Sequence, residues 1–449
     1  MATTYIHRTP AEAGNQRTWT YSAWVKRGAL GSRQGLYNVN AASDPYIFAE
    51  FVASDALNIQ DYDGSQDTDL VTTRLFRDQG AWYHIVIAYD TTQSTPADRI
   101  KLYVNGVQET SFSTETYCAE DFDTQMNTTV ELRLGREGAG SNYFDGSMSW
   151  VQLVDGLQLA PTEFGSVDAT SGIWKIKPTA YGTPGTNGFC LAMEDRSNLD
   201  LDTSSNAFTW TTSGTLTAIY DNPSNNFSTL NPLSLVYGAA TFTNGMTHYT
   251  RVTNYSYPLS TMGVSSGKWY AEFKCIAGGS GDGGLGIVSS YSTSTTNWGG
   301  ANANNYWWWG ATGAGASAGV KSSGSTVTNG SIGTFTDGDI ISIAIDCDNN
   351  RVYYGKNGTW LNSSDPVAGT DGITITAAAD TQIGNYFYTA GDYGGGTPGQ
   401  WDCNFGNGYF GTTAVASANA DDAGIGAMEY DVPAGYYCLC TKNIKAYGG

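Results

Sequence analysis

The chain has 449 residues, of which 40% are hydrophobic, 13% aromatic and only 14% charged, and 56 of them are glycine. This composition favours short strands and tight turns with aromatic side chains, and it excludes helical bundles and coiled coils, which require more Leu, Glu, Lys and Arg. The formal net charge of −20 excludes nucleic acid and anionic membrane surfaces as partners, and no apolar stretch is long enough for membrane insertion.

The first 165 residues alternate large and small side chains with the period of two that indicates strands. The alternation is clearest at 18–25 (TWTYSAWV) and 82–89 (WYHIVIAY). Asn105-Gly106 follows a further alternating run and predicts a hairpin turn, because both residues accept positive φ. No helical pattern separates these segments. The sequence therefore predicts an antiparallel β-sandwich over residues 1–165.

Residues 166–230 are rich in Gly, Thr, Asn, Asp and Pro but keep short apolar clusters, such as 173–176 and 207–210. A disordered segment would carry more charge and fewer aromatic residues. We therefore expect an ordered connector that contains some strand and packs on one or both of its neighbours. A flexible linker is the alternative.

The second half repeats the strand pattern from about residue 231 to the end at 449. Its clearest predicted strands are 268–276 and 339–345, and Asn357-Gly358 follows a later strand in the way that Asn105-Gly106 does in the first half. The sequence therefore predicts a second antiparallel sandwich over residues 231–449, and an all-β protein overall.

Segments of the two halves resemble two known families of β-sandwich. In the first half, 19–27 (WTYSAWVKR), 82–90 (WYHIVIAYD) and 98–106 (DRIKLYVNG) look like the laminin-G/concanavalin-A-like lectin module. In the second half, 267–273 (GKWYAEF) and 352–358 (VYYGKNG) are similar to SPRY domains. The resemblance implies two concanavalin-like and SPRY-like jelly rolls joined by the connector.

The order of the modules resembles structural proteins of tailed bacteriophages. The resemblance rests on 220–233 (YDNPSNNFSTLNPL) and on the closing 432–444 (VPAGYYCLCTKNI). It implies a non-enzymatic virion protein, either a tail fibre or appendage or a capsid decoration, that is made in the host cytoplasm and displayed on the virion exterior. Its expected partners are other virion proteins, further copies of itself and a host cell-surface glycan. A purely architectural protein without a ligand and a glycan depolymerase are the alternatives.

Motifs for catalysis are weak. The three histidines, His7, His84 and His248, are far apart in sequence and accompany no nucleophile motif, so we interpret His84 as a packed strand residue. The acidic run 120–123 lacks the alternation that sandwich glycosidases use. The seven cysteines are scattered, and we expect them to be reduced and buried rather than bound to zinc or paired in disulfides. We therefore expect no enzyme.

An acidic segment is the candidate for a metal site. It carries four carboxylates within nine residues of a turn-rich stretch: Asp61, Asp63, Asp67 and Asp69. Calcium takes six to eight oxygen ligands from clusters of this kind. No other cofactor is expected, and a solvated turn without calcium is the alternative.

An aromatic segment is the candidate for ligand binding. Its residues are Trp298, Tyr306, Trp307, Trp308 and Trp309. Alternation along a strand predicts that Trp307 and Trp309 share one face and that Trp308 lies on the other. Outward indoles stack on the apolar faces of sugar rings or lie in an interface between proteins. A role in the hydrophobic core is the alternative.

Overall fold

The computed structural model describes residues 3–40, 44–138, 142–278, 283–291, 299–310, 319–327, 332–392, 394 and 397–448. The fold is all-β, with 45% strand and 5% helix, as the composition and alternation predict. Two compact units follow one another, Met1–Ala218 and Ile219–Gly449. The division falls inside the predicted connector, so residues 166–218 belong to the first unit and 219–230 to the second.

Within the described residues the first unit forms strands β1 to β18, a short helix α1 at Pro96–Arg99 and a 3₁₀ turn at Pro161–Glu163. The strands are β1 Tyr5–Arg8, β2 Thr18–Arg27, β3 Gln34–Asn40, β4 Tyr46–Phe51, β5 Ala56–Tyr62, β6 Gln66–Leu75, β7 Tyr83–Asp90, β8 Ile100–Val104, β9 Val107–Glu109, β10 Phe112–Thr116, β11 Leu132–Leu134, β12 Arg136–Glu137, β13 Asn142–Tyr143, β14 Gly146–Asp155, β15 Gly165–Val167, β16 Trp174–Ile176, β17 Phe189–Leu191 and β18 Thr211–Ser213.

Two large antiparallel sheets form the sandwich of the first unit, and β12 with β13 and β15 with β16 form two-stranded sheets beside it. Among the described strands, sheet A has the order β10-β6-β5-β4-β3-β11-β1-β18, and sheet B has the order β17-β14-β2-β7-β8-β9. The alternation that predicts β2 also explains its packing, because Trp19, Tyr21 and Val25 face the core between the sheets while Trp24 faces away from it. Strands β17 and β18 come from the predicted connector and complete one edge of each sheet.

The second unit forms strands β19 to β36 within the described residues, with 3₁₀ turns at Gly299–Ala301 and Ala378–Asp380 and a closing helix α2 at Thr441–Tyr447. The strands are β19 Leu230–Tyr237, β20 Ala240–Thr243, β21 His248–Arg251, β22 Ser256–Ser260, β23 Lys268–Ala277, β24 Gly283–Val288, β25 Tyr306–Trp309, β26 Gly319–Ser322, β27 Ser325–Thr326, β28 Ile340–Asp346, β29 Arg351–Lys356, β30 Thr359–Trp360, β31 Ile373–Thr374, β32 Phe387–Asp392, β33 Gln400–Asn404, β34 Tyr409–Phe410, β35 Thr413–Ala414 and β36 Tyr437–Cys438.

The second unit is also a sandwich. Sheet C has the order β19-β22-β32-β24-β25-β26-β27, and sheet D has the order β20-β21-β33-β23-β28-β29-β30 among the described strands, with β31 and β36 added beside β29 and β23. The pairing of β36 with β23 is parallel, whereas the other pairs of these two sheets are antiparallel. None of the helices in the described part of the chain combines the length and apolar character of a membrane span.

Candidate functional site

The tryptophan segment is largely buried in the second unit. Trp298 lies outside the described residues. In β25 the side chains alternate, so Tyr306 and Trp308 join the core between sheets C and D while Trp307 and Trp309 lie on the opposite face of sheet C. The Trp308 ring packs edge-on against Phe335, with ring centres 5.3 Å apart. Trp308 is therefore a core residue.

Trp307 is buried as well, although it faces away from the core. Its ring packs against Tyr257, with the centres 5.6 Å apart, and only 2% of the residue is exposed. Gly284 and Gly299 contact the indole so closely that a Cβ at either position would overlap it. Trp309 is partly exposed, so it is the one indole of this strand that a ligand could reach. Ligand stacking by Trp309 stays a prediction.

The acidic segment does not form the single four-carboxylate site that its spacing predicts. Asp61 of β5 faces the core and pairs with Thr68, whereas Asp69 of β6 pairs with Gln60 and faces away from the core. Side chains on opposite faces of a sheet cannot surround one ion. Within the described residues, no group of three or more His, Cys, Asp or Glu side chains is arranged to hold a metal ion.

The remaining acids of this segment lie at the turn between β5 and β6. The Asp67 carboxylate accepts a hydrogen bond from the Asp63 amide at 3.2 Å and another from the Ser65 hydroxyl at 3.3 Å. These contacts are typical of a solvated turn. In the core, burial raises the pKa of Asp61 well above its usual range and favours the protonated side chain. Calcium binding by the acidic segment stays a prediction.

His84 lies on the outer side of sheet B and is fully buried, as the sequence predicts for a packed strand residue. The Ser22 hydroxyl is 2.9 Å from Nε2 of His84, an arrangement that resembles a nucleophile and its base. However, the indole Nε1 of Trp174 donates a hydrogen bond to Nδ1 of His84 at 2.9 Å. Nδ1 is therefore the acceptor and Nε2 carries the proton, so His84 donates to Ser22 and cannot deprotonate it.

The outer face of sheet A, which points away from sheet B, carries a row of polar side chains. The pairing register places one residue of each strand in a continuous row across it. From one edge to the other, the row is Thr116, Asp69, Gln60, Phe48, Asn38, Arg133, His7 and Thr211. Seven of these eight side chains can form hydrogen bonds, and the eighth is aromatic.

Accessibility rises from the centre of this row toward its edges. Asn38 and Phe48 are buried, His7 and Arg133 are partly exposed, and Thr211 is exposed. The central side chains are already paired, since Arg133 donates to the Asn38 side-chain oxygen at 3.4 Å. A ligand on this face would therefore contact its edges first.

A cleft of about 390 Å³ opens at the β1 and β18 edge of sheet A. Its walls are His7, Arg8, Thr9, Ala11, Glu131, Phe208, Thr209 and Thr211. The Glu131 carboxylate accepts hydrogen bonds from His7 Nδ1 at 2.9 Å and from Arg133 Nε at 2.7 Å. Partial burial would raise the pKa of Glu131, but these two hydrogen bonds outweigh it and hold the pKa below its usual range. The cleft thus combines a charged carboxylate, cations, hydroxyls and an aromatic ring.

A loop of the predicted connector supplies the aromatic wall of the cleft. Asp202 accepts hydrogen bonds from the backbone amides of Cys190, Ser204 and Phe208, each at 2.9 Å. These bonds fix the turn that presents Phe208, and the Arg8 guanidinium stacks on the Phe208 ring with its carbon 3.3 Å from the ring centre.

The sequence patterns do not identify these cleft residues as a site. A local signal existed, because residues 130–134 (VELRL) alternate apolar and charged side chains and so point Glu131 and Arg133 away from the core. That Arg133 lies beside His7 depends on the pairing of β1 with β11, and Phe208 joins them through the pairing of β1 with β18. Neither pairing can be read from a local pattern.

Comparison with known proteins supports a lectin-like first half. Residues 2–163, about a third of the chain, match the model of the concanavalin A-like lectin/glucanases superfamily. No curated protein sequence matches the chain.

Solved structures show weak overall similarity. The chain is similar to the SPRY domain of human HERC1 (17% identity, TM-score 0.29, covering 39% of this chain and 96% of that one). It is also similar to a putative carbohydrate binding protein from Bacteroides ovatus (14%, 0.30, covering 47% and 58%). A third match is the heptameric SAP-like pentraxin from Limulus polyphemus (13%, 0.26, covering 35% and 72%).

Proposed function

We propose that the protein is a non-enzymatic virion protein of a tailed bacteriophage that binds a host cell-surface glycan through the cleft at the edge of sheet A. The single observation that supports this binding site is the row of hydrogen-bonding side chains across sheet A, which ends in the cleft at His7 and Thr211. Sugars present alternating hydroxyls and apolar C–H faces, which match a surface of donors, acceptors and one aromatic ring.

The superfamily matched by residues 2–163 contains both lectins and glucanases, and the geometry of the cleft favours binding. Most glycosidases need two carboxyl groups about 5–9.5 Å apart, one of which is protonated. Glu131 is the one carboxylate among the cleft walls, and its lowered pKa disfavours a role as general acid. The protonation of His84 at Nε2 argues against the other pair with catalytic spacing, Ser22 and His84.

The virion setting of this proposal rests on the resemblance of the two modules and the segments 220–233 and 432–444 to bacteriophage structural proteins. On a virion, many copies of a low-affinity site bind the same cell surface together, and the overall affinity of the particle is much higher than that of one site. We expect further copies of the chain and neighbouring virion proteins as partners. A cryo-EM map of the intact particle would show whether the protein is attached to the tail or to the capsid.

The test is a glycan array probed with the purified chain and two variants. Thr211→Trp places an indole in the cleft from an exposed strand position, so it should reduce binding at least tenfold while the melting temperature stays the same. Thr217→Trp makes the same change at an exposed position that does not line the cleft, and it should bind like the wild type.

Three results would contradict the proposal. A wild-type chain that binds no glycan on the array would favour the architectural alternative. Equal binding by Thr211→Trp and the wild type would remove the site from the cleft. Release of new reducing ends from a bound polysaccharide would show a depolymerase instead of a binding protein.

A further inference from the structure

Arg8 differs from most arginines of this chain in its charge environment. The chain has 42 acidic and 22 basic residues, so a cation usually has a carboxylate nearby. Eight described arginines lie within 4.0 Å of one: Arg17, Arg27, Arg33, Arg74, Arg77, Arg99, Arg133 and Arg251. Arg8 has no such partner among the described residues, although it is half-buried in the cleft.

The position of Arg8 is nevertheless fixed. Its guanidinium carbon lies 3.3 Å above the centre of the Phe208 ring, and Nη2 donates one long hydrogen bond of 3.4 Å to the Asn187 side-chain oxygen. A guanidinium has five N–H donors in its plane. Stacking uses the face of the group, so it leaves the donors at the edges available for a ligand.

The carboxylates near Arg8 are already engaged. The Asp202 carboxylate oxygens accept hydrogen bonds from the three backbone amides that fix the turn before Phe208. Glu131 is paired with His7 and Arg133. Asp202 attracts the charge of Arg8 from a longer distance, but no carboxylate oxygen of the described residues lies within 4.0 Å of the Arg8 guanidinium. A bound anion would supply this missing direct partner.

We propose that the cleft binds an acidic sugar, with the sugar carboxylate paired to the Arg8 guanidinium. This inference rests on the proposed glycan-binding function and names the class of glycan. A planar carboxylate matches two parallel N–H donors of a guanidinium, and such a pair is charge-assisted. The exposed threonines Thr9, Thr209 and Thr211 line the same cleft as Arg8, and their hydroxyl groups can bind those of the sugar.

The experiment compares each carboxylated glycan with its methyl ester, which removes the charge and keeps the rest of the molecule. A panel of sialylated and uronate oligosaccharides, oligogalacturonate included, is screened first, and the strongest binder is measured with its ester by calorimetry. We expect the ester to bind at least tenfold more weakly to the wild type. Arg8→Gln should lose the same factor for the acid and a smaller factor for the ester, so that acid and ester bind this variant with similar affinity.

Two further variants make the result specific. Arg8→Lys keeps the positive charge but lacks the two parallel N–H donors of the guanidinium, so its affinity for the acid should lie between those of Arg8→Gln and the wild type. This variant also tests the inference if Arg8→Gln does not fold. Arg17→Gln removes the same charge from the first unit outside the cleft and should bind like the wild type.

The outcomes separate this inference from the proposed function. Equal affinity for acid and ester, or stronger binding of neutral or sulfated glycans than of carboxylated ones, would overturn the acidic-sugar assignment while glycan binding stands. An array on which the wild type binds nothing would instead overturn the proposed function itself.

Discussion

Trp174 and His84 are joined by a hydrogen bond of 2.9 Å from the indole Nε1 to the imidazole Nδ1. The two rings are also nearly parallel, with their centres 5.9 Å apart, and Trp24 stacks on His84 with the ring centres 4.8 Å apart. Trp174 belongs to the predicted connector, whereas His84 belongs to strand β7. The connector therefore supplies part of the packing on the outer side of sheet B.

Replacing Trp174 by Phe should destabilise the first unit. The ring still packs on His84, but the buried Nδ1 loses its donor, and a buried acceptor without a partner costs about 1–3 kcal/mol. Urea denaturation followed by far-UV circular dichroism measures the change. Ile173→Ala is the control, since Ile173 is exposed and its truncation should change the free energy of unfolding by less than about 0.5 kcal/mol. Equal stability of Trp174→Phe and the wild type would mean that water replaces the indole donor.

The stability of the first unit should depend on pH through His84. Burial lowers the pKa of His84 from 6.5 to about 3. Below pH 6.5 the unfolded chain binds a proton at this residue and the folded unit does not, so acid reduces the free energy of unfolding from about pH 6.5 down to about pH 3. Between pH 7 and pH 5 this contribution is about 2 kcal/mol.

The variant His84→Gln isolates this effect from the other titrating groups. The amide side chain of the variant cannot bind a proton in this range, so the loss of stability between pH 7 and pH 5 should shrink by about 2 kcal/mol relative to the wild type. Urea midpoints at both pH values for both proteins provide the comparison. An identical pH dependence in the two proteins would show that His84 has the same pKa in the folded and unfolded states.

The second unit should show the opposite sign through Glu272. Its buried carboxylate accepts hydrogen bonds from the amides of Glu429 and Tyr430 at 2.8 and 2.9 Å and from the Tyr270 hydroxyl at 2.9 Å. Burial still raises the pKa of Glu272 from 4.5 to about 7. The folded unit therefore keeps a proton between pH 4.5 and 7 that the unfolded chain releases, and stability falls as the pH rises through this window.

Glu272→Gln should remove about 2 kcal/mol of this pH dependence between pH 5 and pH 7, because the amide does not titrate. It should also speed hydrogen exchange at the amides of Glu429 and Tyr430. The glutamine side chain has one acceptor oxygen where the carboxylate has two, so one of these amides loses its hydrogen-bond acceptor. Asp422→Asn, at an exposed position, is the control and should leave both measurements unchanged. Slow exchange retained in Glu272→Gln would refute the role of this carboxylate in holding residues 429–430.

The three described tryptophans of β25 should respond differently to truncation. Trp308→Ala and Trp307→Ala each remove a buried ring and should cost about 3–5 kcal/mol. Trp309→Ala removes a partly exposed ring and should cost about 1 kcal/mol or less. Thermal melting of each single variant tests the series. A normal melting temperature for Trp307→Ala would place that ring on an open surface.

The strands and the two sandwiches were predictable because their signal is local. Alternation in 18–25 and 82–89 identifies β2 and β7, and the Asn-Gly pairs identify the hairpins that follow. The acidic segment shows the limit of such reasoning. Its four carboxylates are close in sequence, but Asp61 continues the inward alternation of Leu57 and Ile59, and this alternation separates it from Asp69.

The candidate site could not be predicted because it depends on contacts between distant parts of the chain. His7 lies 124 residues from Glu131 and 206 residues from Ser213, and it approaches the side chains of both. The sequence contains each of these residues in an ordinary strand pattern. Only the order of strands in sheet A reveals that they share one edge.

The place of β1 between β11 and β18 has a consequence for the order of folding. During synthesis β1 leaves the ribosome more than 100 residues before either of its neighbours, so this strand lacks both partners while more than half of the unit is translated. The cleft is formed by the earliest and latest strands of the unit. A nascent or truncated chain that lacks residues 208–213 would therefore lack the cleft walls Phe208, Thr209 and Thr211, and the glycan binding proposed above would require the complete first unit.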